Sequence, residues 1–309
     1  MASVRGPILA KSVSLFSVIP HLTDATASRL SANLQGILWM LMAGSAFAAA
    51  NVTVRLATHD LHPFVVVFFR SAIAVLLMAH VFLGPRFYWA PSPVMRLHLL
   101  RGILQATALL CLYAAIAISP LATVIAISFI TPLVSGAGAI ALMGEPSRWN
   151  RWLAIFLGFA GVLIVIRPGL IAVSLGVFLV LGYAVQQAAS NLAGKVLARS
   201  EPALVVVAWM TLLSTPLALV PALFVWSWPD LVTLGYLAVN ALLSTFAHFA
   251  TVRAYRVVDI TIADPMMFFR MIAAAFFGYW FFNEVPDIWT WVGSAVIAAA
   301  GTLLSRDRS

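Results

Sequence analysis

The chain has 309 residues, 63% of them hydrophobic and 9% charged, with a mean hydropathy of +1.02; soluble domains carry about 25% charged residues, so the composition is that of a polytopic membrane protein. The formal net charge of +8 does not point to nucleic acid, because the basic residues stand in ones and twos between apolar runs. The single cysteine, Cys111 in "ALLCLYAAIAI", excludes an intrachain disulfide and a thiol metal cluster and reads as packing.

Residues 1–34 carry Arg5, Lys11 and Arg29 around the short apolar patch "SLFSVI". That patch is too short to cross a bilayer and lacks the features of a secretory signal, so the segment is expected to be a poorly ordered cytoplasmic tail. A helix needs roughly 20 apolar residues to cross. Pro, Gly and charge clusters divide the rest into ten such stretches: 35–55, 63–83, 98–118, 121–143, 149–167, 173–196, 203–226, 231–252, 259–282 and 287–304. The expected fold is all-α, with loops too short to hold a catalytic domain.

With the N-terminus inside, Arg55 and Arg167 fall on the outer side and Arg70 and Arg270 within spans. The other 14 of the 18 basic residues, Arg101 and Lys195 among them, then face the cytoplasm. The positive-inside rule accordingly predicts both termini in the cytoplasm.

Shifting "QGILWMLMAGSAFAAANVTVRLA" by 140 residues onto "LGVFLVLGYAVQQAASNLAGKVL" pairs Gly36 with Gly176, Ala48 with Ala188, Asn51 with Asn191 and Arg55 with Lys195. A shift of 139 pairs Phe129 with Phe268, Glu145 with Glu284 and Trp152 with Trp291. The halves, 35–170 and 171–309, therefore read as two copies of one five-helix unit. Five is odd, so the second copy enters the membrane from the opposite face, an inverted repeat of the kind that gives secondary transporters two access states.

"FFRSAIA", "ITPLVSGAGAIALMGEPSRWNRWLAIFLGFAGVLIVIRPG" and "FFRMIAAAFFGYWFFNEVPDIWTWVGSAVIAAAGTLL", in this order and duplicated, resemble the EamA family of the drug/metabolite transporter superfamily over residues 35–305. The resemblance implies a ten-helix bacterial inner-membrane carrier of small metabolites with a central cavity between its halves. "FFRMIAAAFFGYWFFNEVPD" looks most like the subgroup associated with S-adenosylmethionine or riboflavin uptake. Asp264–Pro265 departs from the family pattern, where an Ala or Leu is expected before the Pro.

A mid-span Arg or Asp costs about 2.5–3.5 kcal/mol on insertion scales, so such residues face the bundle interior or a wet cavity. Arg270, near mid-depth, is the expected contact for an anionic or carbonyl-bearing substrate, since guanidinium offers a fixed fork of donors. Arg70 reads first as a scaffold arginine and otherwise as a gating group. Asp264, beside the helix-breaking Pro265, is a candidate coupling group or a helix-start cap, and His248 a candidate titrating group or a packing histidine. Tyr183, Gln187 and Asn191 recur every four residues and form the expected cavity wall with Asn51, whereas Gln186 is angled away. Phe268, Phe269 and Trp209 are candidates for stacking on a flat heterocycle or for plain packing. Trp39, Trp89, Trp149, Trp226, Trp228 and Trp289 sit near span boundaries, as an interfacial belt would.

A secondary transporter is therefore expected, for uptake or, on the same scaffold, for export of a metabolite or metallophore. A membrane-embedded enzyme would need a nucleophile with its base, clustered carboxylates or a phosphate loop, and the sequence has no such motif. A non-transporting structural subunit leaves the inverted repeat without a purpose. No cofactor, metal or ATP-binding subunit is expected; the partners are a small-molecule substrate, the bilayer and, if the chain forms a homodimer, a second copy of it.

Overall fold

The computed structural model describes residues 19–84, 94–143, 149–167, 174–257 and 269–306, and among them there are helices and no strand. In chain order the helices are α1 (Ile19–Asp60), α2 (Pro63–Leu77), α3 (Ala79–Phe82), α4 (Met95–Ile118), α5 (Leu121–Ser128), α6 (Ile130–Met143), α7 (Trp149–Ile166), α8 (Leu175–Ser200), α9 (Ala203–Leu223), α10 (Leu231–Val257), α11 (Phe269–Phe282) and α12 (Ile288–Arg306). Prolines open several of them: Pro63 is the first residue of α2, and Pro120 and Pro202 stand just before α5 and α9. A missing N–H costs nothing there, and the proline's φ is already suited to the turn.

Helices occupy the described part of each of the ten apolar stretches, with three departures from expectation. Helix α1 begins at Ile19, so residues 19–34 are helical rather than an irregular tail; after Pro20 they hold no further helix breaker, and the apolar stretch that follows lets the helix extend N-terminally. The stretch 63–83 is interrupted at Met78 between α2 and α3. The stretch 121–143 is interrupted at Phe129 because Pro132 has no N–H for the Ser128 carbonyl and its ring crowds that oxygen. The Thr131 hydroxyl donates to the same carbonyl at 2.6 Å, filling the gap.

Six helical segments are long and apolar enough to cross a membrane: 34–60, 95–118, 123–143, 175–200, 203–223 and 231–257. Shorter apolar helices cover 63–77, 156–165 and 288–300. Large apolar side chains lie exposed along the bundle, among them Leu76, Phe156, Phe178, Val220, Leu242 and Phe276. Such a surface needs lipid rather than water. Trp149, Trp228 and Trp289 are exposed at or just before helix starts, as an interfacial belt requires.

The packing is nearly unchanged when the halves are exchanged. α1 packs on α10 as α4 packs on α8; α2 on α10 as α9 on α4; α1 on α11 as α8 on α6. The pairs α2–α9 and α7–α12 map onto themselves, as pairs on a pseudo-twofold axis do. Along α7–α12 the backbones nearly touch: a Cβ on Gly161 would stand 2.8 Å from the Gly293 carbonyl oxygen, and one on Gly293 2.6 Å from that of Gly161. Small residues let membrane helices approach this closely.

Candidate functional site

Eight helices, α1, α2, α4, α5, α6, α8, α10 and α11, and the α5–α6 break surround a cavity of about 90 Å³, room for several waters. The four-residue spacing on α8 puts Tyr183, Gln187 and Asn191 on one wall, and Gln187 Nε2 donates to Asn191 Oδ1 at 2.9 Å. Gln186 indeed turns away, bonding the Gly182 carbonyl and touching Cys111. On α10, Ser244, His248 and Thr251 share one face and also line the cavity. Phe47 and Asn51 come from α1, Gln105 and Tyr113 from α4, Arg70 from α2 and Arg270 from α11. Both halves of the chain thus supply the lining.

Arg70 is 3% exposed and bonded in place: Nη1 donates to the Ser244 hydroxyl at 2.9 Å and Nε faces the Ser71 hydroxyl at 3.4 Å. Ser244 in turn donates to the Asn240 carbonyl at 2.7 Å. Asn240 accepts from the Tyr113 hydroxyl at 3.0 Å and donates to the Ala50 carbonyl at 2.7 Å, so one chain of bonds joins α1, α2, α4 and α10. Arg70 is thus tied into the bundle at the cavity wall through serine hydroxyls, not through the carbonyls of a neighbouring helix.

Arg270 is held differently. Its guanidinium lies 5.5 Å from the Phe47 ring centroid, a cation–π contact, and Phe47 meets the His248 ring edge-on at 5.0 Å. Its Nε is buried with no hydrogen-bond partner among the described residues, and so are Asn51 Nδ2 and Gln105 Nε2. Buried donors are rarely left unpaired without a reason. None of the described lining residues is Asp or Glu, and the described residues hold no group of three or more His, Cys, Asp or Glu arranged to bind a metal.

The sequence candidates divide accordingly. Arg70, Arg270, Tyr183, Gln187, Asn191, Asn51 and His248 meet at the cavity. Trp209 does not: it is buried among Leu197, Val206 and Met210, with its ring 5.9 Å from that of His98, because this face of α9 packs inside the bundle. Asp264 and Phe268 lie outside the described residues, as does the start of the 259–282 stretch, and of Phe269 only its place at the start of α11 is described. Phe47, Tyr113 and Ser244 went unrecognised in the sequence; the first two looked like ordinary core aromatics, and a serine in an apolar helix carries little signal.

Arg101 is not a loop residue. It is buried in α4, where Nη1 reaches the Val206 carbonyl at 3.4 Å, and its guanidinium packs so close to Gly194 that a Cβ there would stand 3.1 Å from Cζ. Lys195, also expected at a boundary, is buried within α8. Near them His98 Nε2 and Glu201 Oε2 form a buried pair at 2.7 Å that joins α4 to the α8–α9 turn.

One mouth of the bundle is held by two ion pairs that cross between halves. Arg55 Nη2 stands 2.9 Å from Glu284 Oε1, while Arg55 Nη1 donates to the Ile116 and Ser119 carbonyls at 2.7 and 2.5 Å. Glu284 Oε2 accepts from the Leu121 N–H at 2.8 Å, so the pair joins α1, α4, α5 and the end of α11. Arg167 pairs with Asp287 beside it, joining the end of α7 to the start of α12.

The EamA-like transporter family matches residues 34–167 and again 174–306. The chain is 26% identical over 273 residues to an S-adenosylmethionine uptake transporter of Rickettsia prowazekii, covering 88% of this chain and 92% of the relative. It is 29% identical to a riboflavin transporter of Vibrio cholerae (88% and 93% covered) and 28% identical to a pseudopaline exporter of Pseudomonas aeruginosa (88% and 96%). A solved crystal structure superposes with a TM-score of 0.64 at 18% identity, covering 90% of this chain and 99% of that one, which shows a shared fold.

Proposed function

Because the chain belongs to the EamA-like transporter family, we propose that it moves a small polar or aromatic metabolite across a bacterial inner membrane, by alternating access around the cavity between Arg70 and Arg270. The observation that carries this reading is a cavity with buried polar side chains among its walls, lined from both halves of a bundle whose packing is conserved when the halves are exchanged. The ten apolar stretches form ten crossings in two inverted units, 35–170 and 171–309, with both termini in the cytoplasm. That arrangement puts Arg55, Arg167, Glu284 and Asp287 together on the outer side, in keeping with their two ion pairs. In this conformation the pairs hold the outer mouth closed, and the other access state requires them to part.

Tyr183, Gln187, Asn191, Asn51 and Arg270 contact the substrate, Arg70 braces the wall, and Asp264 and His248 are the groups available for coupling. Relatives named for riboflavin and for S-adenosylmethionine make a vitamin or nucleoside-like metabolite the first class to test. The decisive measurement is saturable metabolite flux into proteoliposomes, with and without a pH gradient. Flux that saturates in the wild type and falls at least about tenfold in Arg270→Gln supports the site; no saturable flux across a broad panel overturns the transporter reading for this chain. Running the assay in both directions separates uptake from export, a distinction that the similarity to both kinds of relative keeps open.

A further inference from the structure

Resting on the reading of the cavity as the substrate site, we propose that its substrate is recognised through an anionic group, a carboxylate or a phosphate, seated against Arg270. Three buried nitrogens at the cavity, Arg270 Nε, Asn51 Nδ2 and Gln105 Nε2, have no partner among the described residues, and all three are donors. Their residues are 7%, 3% and 1% exposed, so bulk water does not satisfy them. The acceptors nearby are largely committed: Asn191 Oδ1 to Gln187, Asn240 Oδ1 to Tyr113, and the Ser244 hydroxyl to Arg70. The wall therefore offers hydrogen-bond donors in excess and calls for a ligand rich in acceptors.

Charge narrows the class further. Arg70 and Arg270 both line the cavity, and none of the residues described around it is acidic. A guanidinium held at membrane depth normally has a counter-charge or a set of acceptors. Arg70 has its acceptors in Ser244 and Ser71, whereas Arg270 has the face of Phe47, which leaves its in-plane donors for the ligand. A carboxylate or phosphate matches that fork of donors and supplies the missing negative charge. A substrate whose only charge is positive would add a third cation to the same enclosure.

The test uses the full-length wild-type protein in lipid nanodiscs and matched ligands that differ only in the anionic group: riboflavin 5′-phosphate against riboflavin, nucleoside monophosphates against nucleosides, and indole-3-acetate against indole-3-acetamide. Binding is read by intrinsic fluorescence and by thermal stabilisation. The anionic member of a binding pair is expected to be at least about tenfold tighter, with the phosphate and carboxylate pairs showing which anion is taken. Arg270→Gln should abolish the preference, while Arg270→Lys, which keeps the charge without the fork, should retain part of it. Equal or tighter binding of the neutral members, or saturable flux of a neutral or cationic metabolite, overturns the proposal while leaving the transporter reading intact. That result would make Asp264, six residues before Arg270 in the sequence, the candidate internal counter-ion. If no pair binds and no metabolite shows saturable flux, the transporter reading fails and this proposal fails with it. The wild-type comparison decides the matter even where a variant does not fold.

Discussion

At the scale of single residues, the cavity and the bundle make opposite demands on buried polar groups, and stability measurements can separate them. Asn51 Nδ2 is buried without a partner among the described residues, so Asn51→Leu removes an unmet donor; the variant should melt at or above the wild-type temperature while losing ligand stabilisation. Glu201 is the converse case. Glu201→Ala strands His98 Nε2 in a nearly dry site and should cost roughly 1–3 kcal/mol, seen as a lower melting temperature in detergent. This contrast also marks what could be read from one sequence. Tyr183, Gln187 and Asn191 were legible because polar residues at four-residue intervals in an apolar run must share a face, and the face proved to line the cavity. Trp209 was open to two readings, stacking or packing, because an aromatic residue is equally at home against a ligand or in packed core, and it lies in a core cluster. The His98–Glu201 pair was invisible because its partners are 103 residues apart and neither follows a pattern.

At the scale of elements, helix ends and helix contacts are fixed by a few local devices. The α7–α12 seam depends on Gly161 and Gly293, where an added Cβ meets not only a side chain, Ile297 or Val165, but also the facing backbone oxygen, which cannot turn aside as a side chain can. Gly293→Ala should therefore force the helices apart at a cost of about 1–3 kcal/mol, measurable by thermal unfolding of the purified protein. The start of α12 depends on Asp287, which accepts from the Thr290 N–H and hydroxyl at 2.8 and 2.7 Å and pairs with Arg167. Partial burial works against ionisation there, but the Thr290 hydrogen bonds and the Arg167 charge outweigh it and hold the carboxyl below its ordinary value of 3.8. A depressed pKa stabilises the folded state fully above pH 3.8, and the contribution disappears as pH falls through the lower folded value. The melting-temperature difference between wild type and Asp287→Asn should thus be constant near neutrality and shrink toward zero in acid. The position of α12 was evident from its apolar run, whereas the Gly–Gly approach was not, because glycines are spread through the chain and only packing shows which two meet.

At the scale of the whole molecule, the proposed alternating access requires interactions that exist in one state and are broken in the other, a condition the cross-half ion pairs would meet by parting. Arg55 and Glu284 come from opposite halves, yet together they bind the end of α4, the start of α5 and the end of α11, so their parting would free one mouth as a unit. From the sequence the cation and the acid were each expected among the outer-side charges, but nothing in two residues 229 positions apart showed that they touch. The 140-residue shift gives Arg55 a counterpart in Lys195, and a near-identical shift gives Glu284 a counterpart in Glu145, which lies outside the described residues. An inverted pair of latches would follow if that symmetry extends to the other mouth. The testable half is the one in hand. In a Cys111→Ser background, a cysteine at position 119, buried beneath Arg55, should react slowly with a membrane-impermeant maleimide added from outside. Glu284→Gln should speed that labelling about tenfold, the population shift produced by losing roughly 1.4 kcal/mol of bias toward the closed mouth. Arg55→Gln should act alike, and the double variant should add little, because either change alone already removes the shared contact. Unchanged labelling in both single variants would mean that the pair braces the helices without gating them, and the control of access would then have to be sought at the opposite mouth.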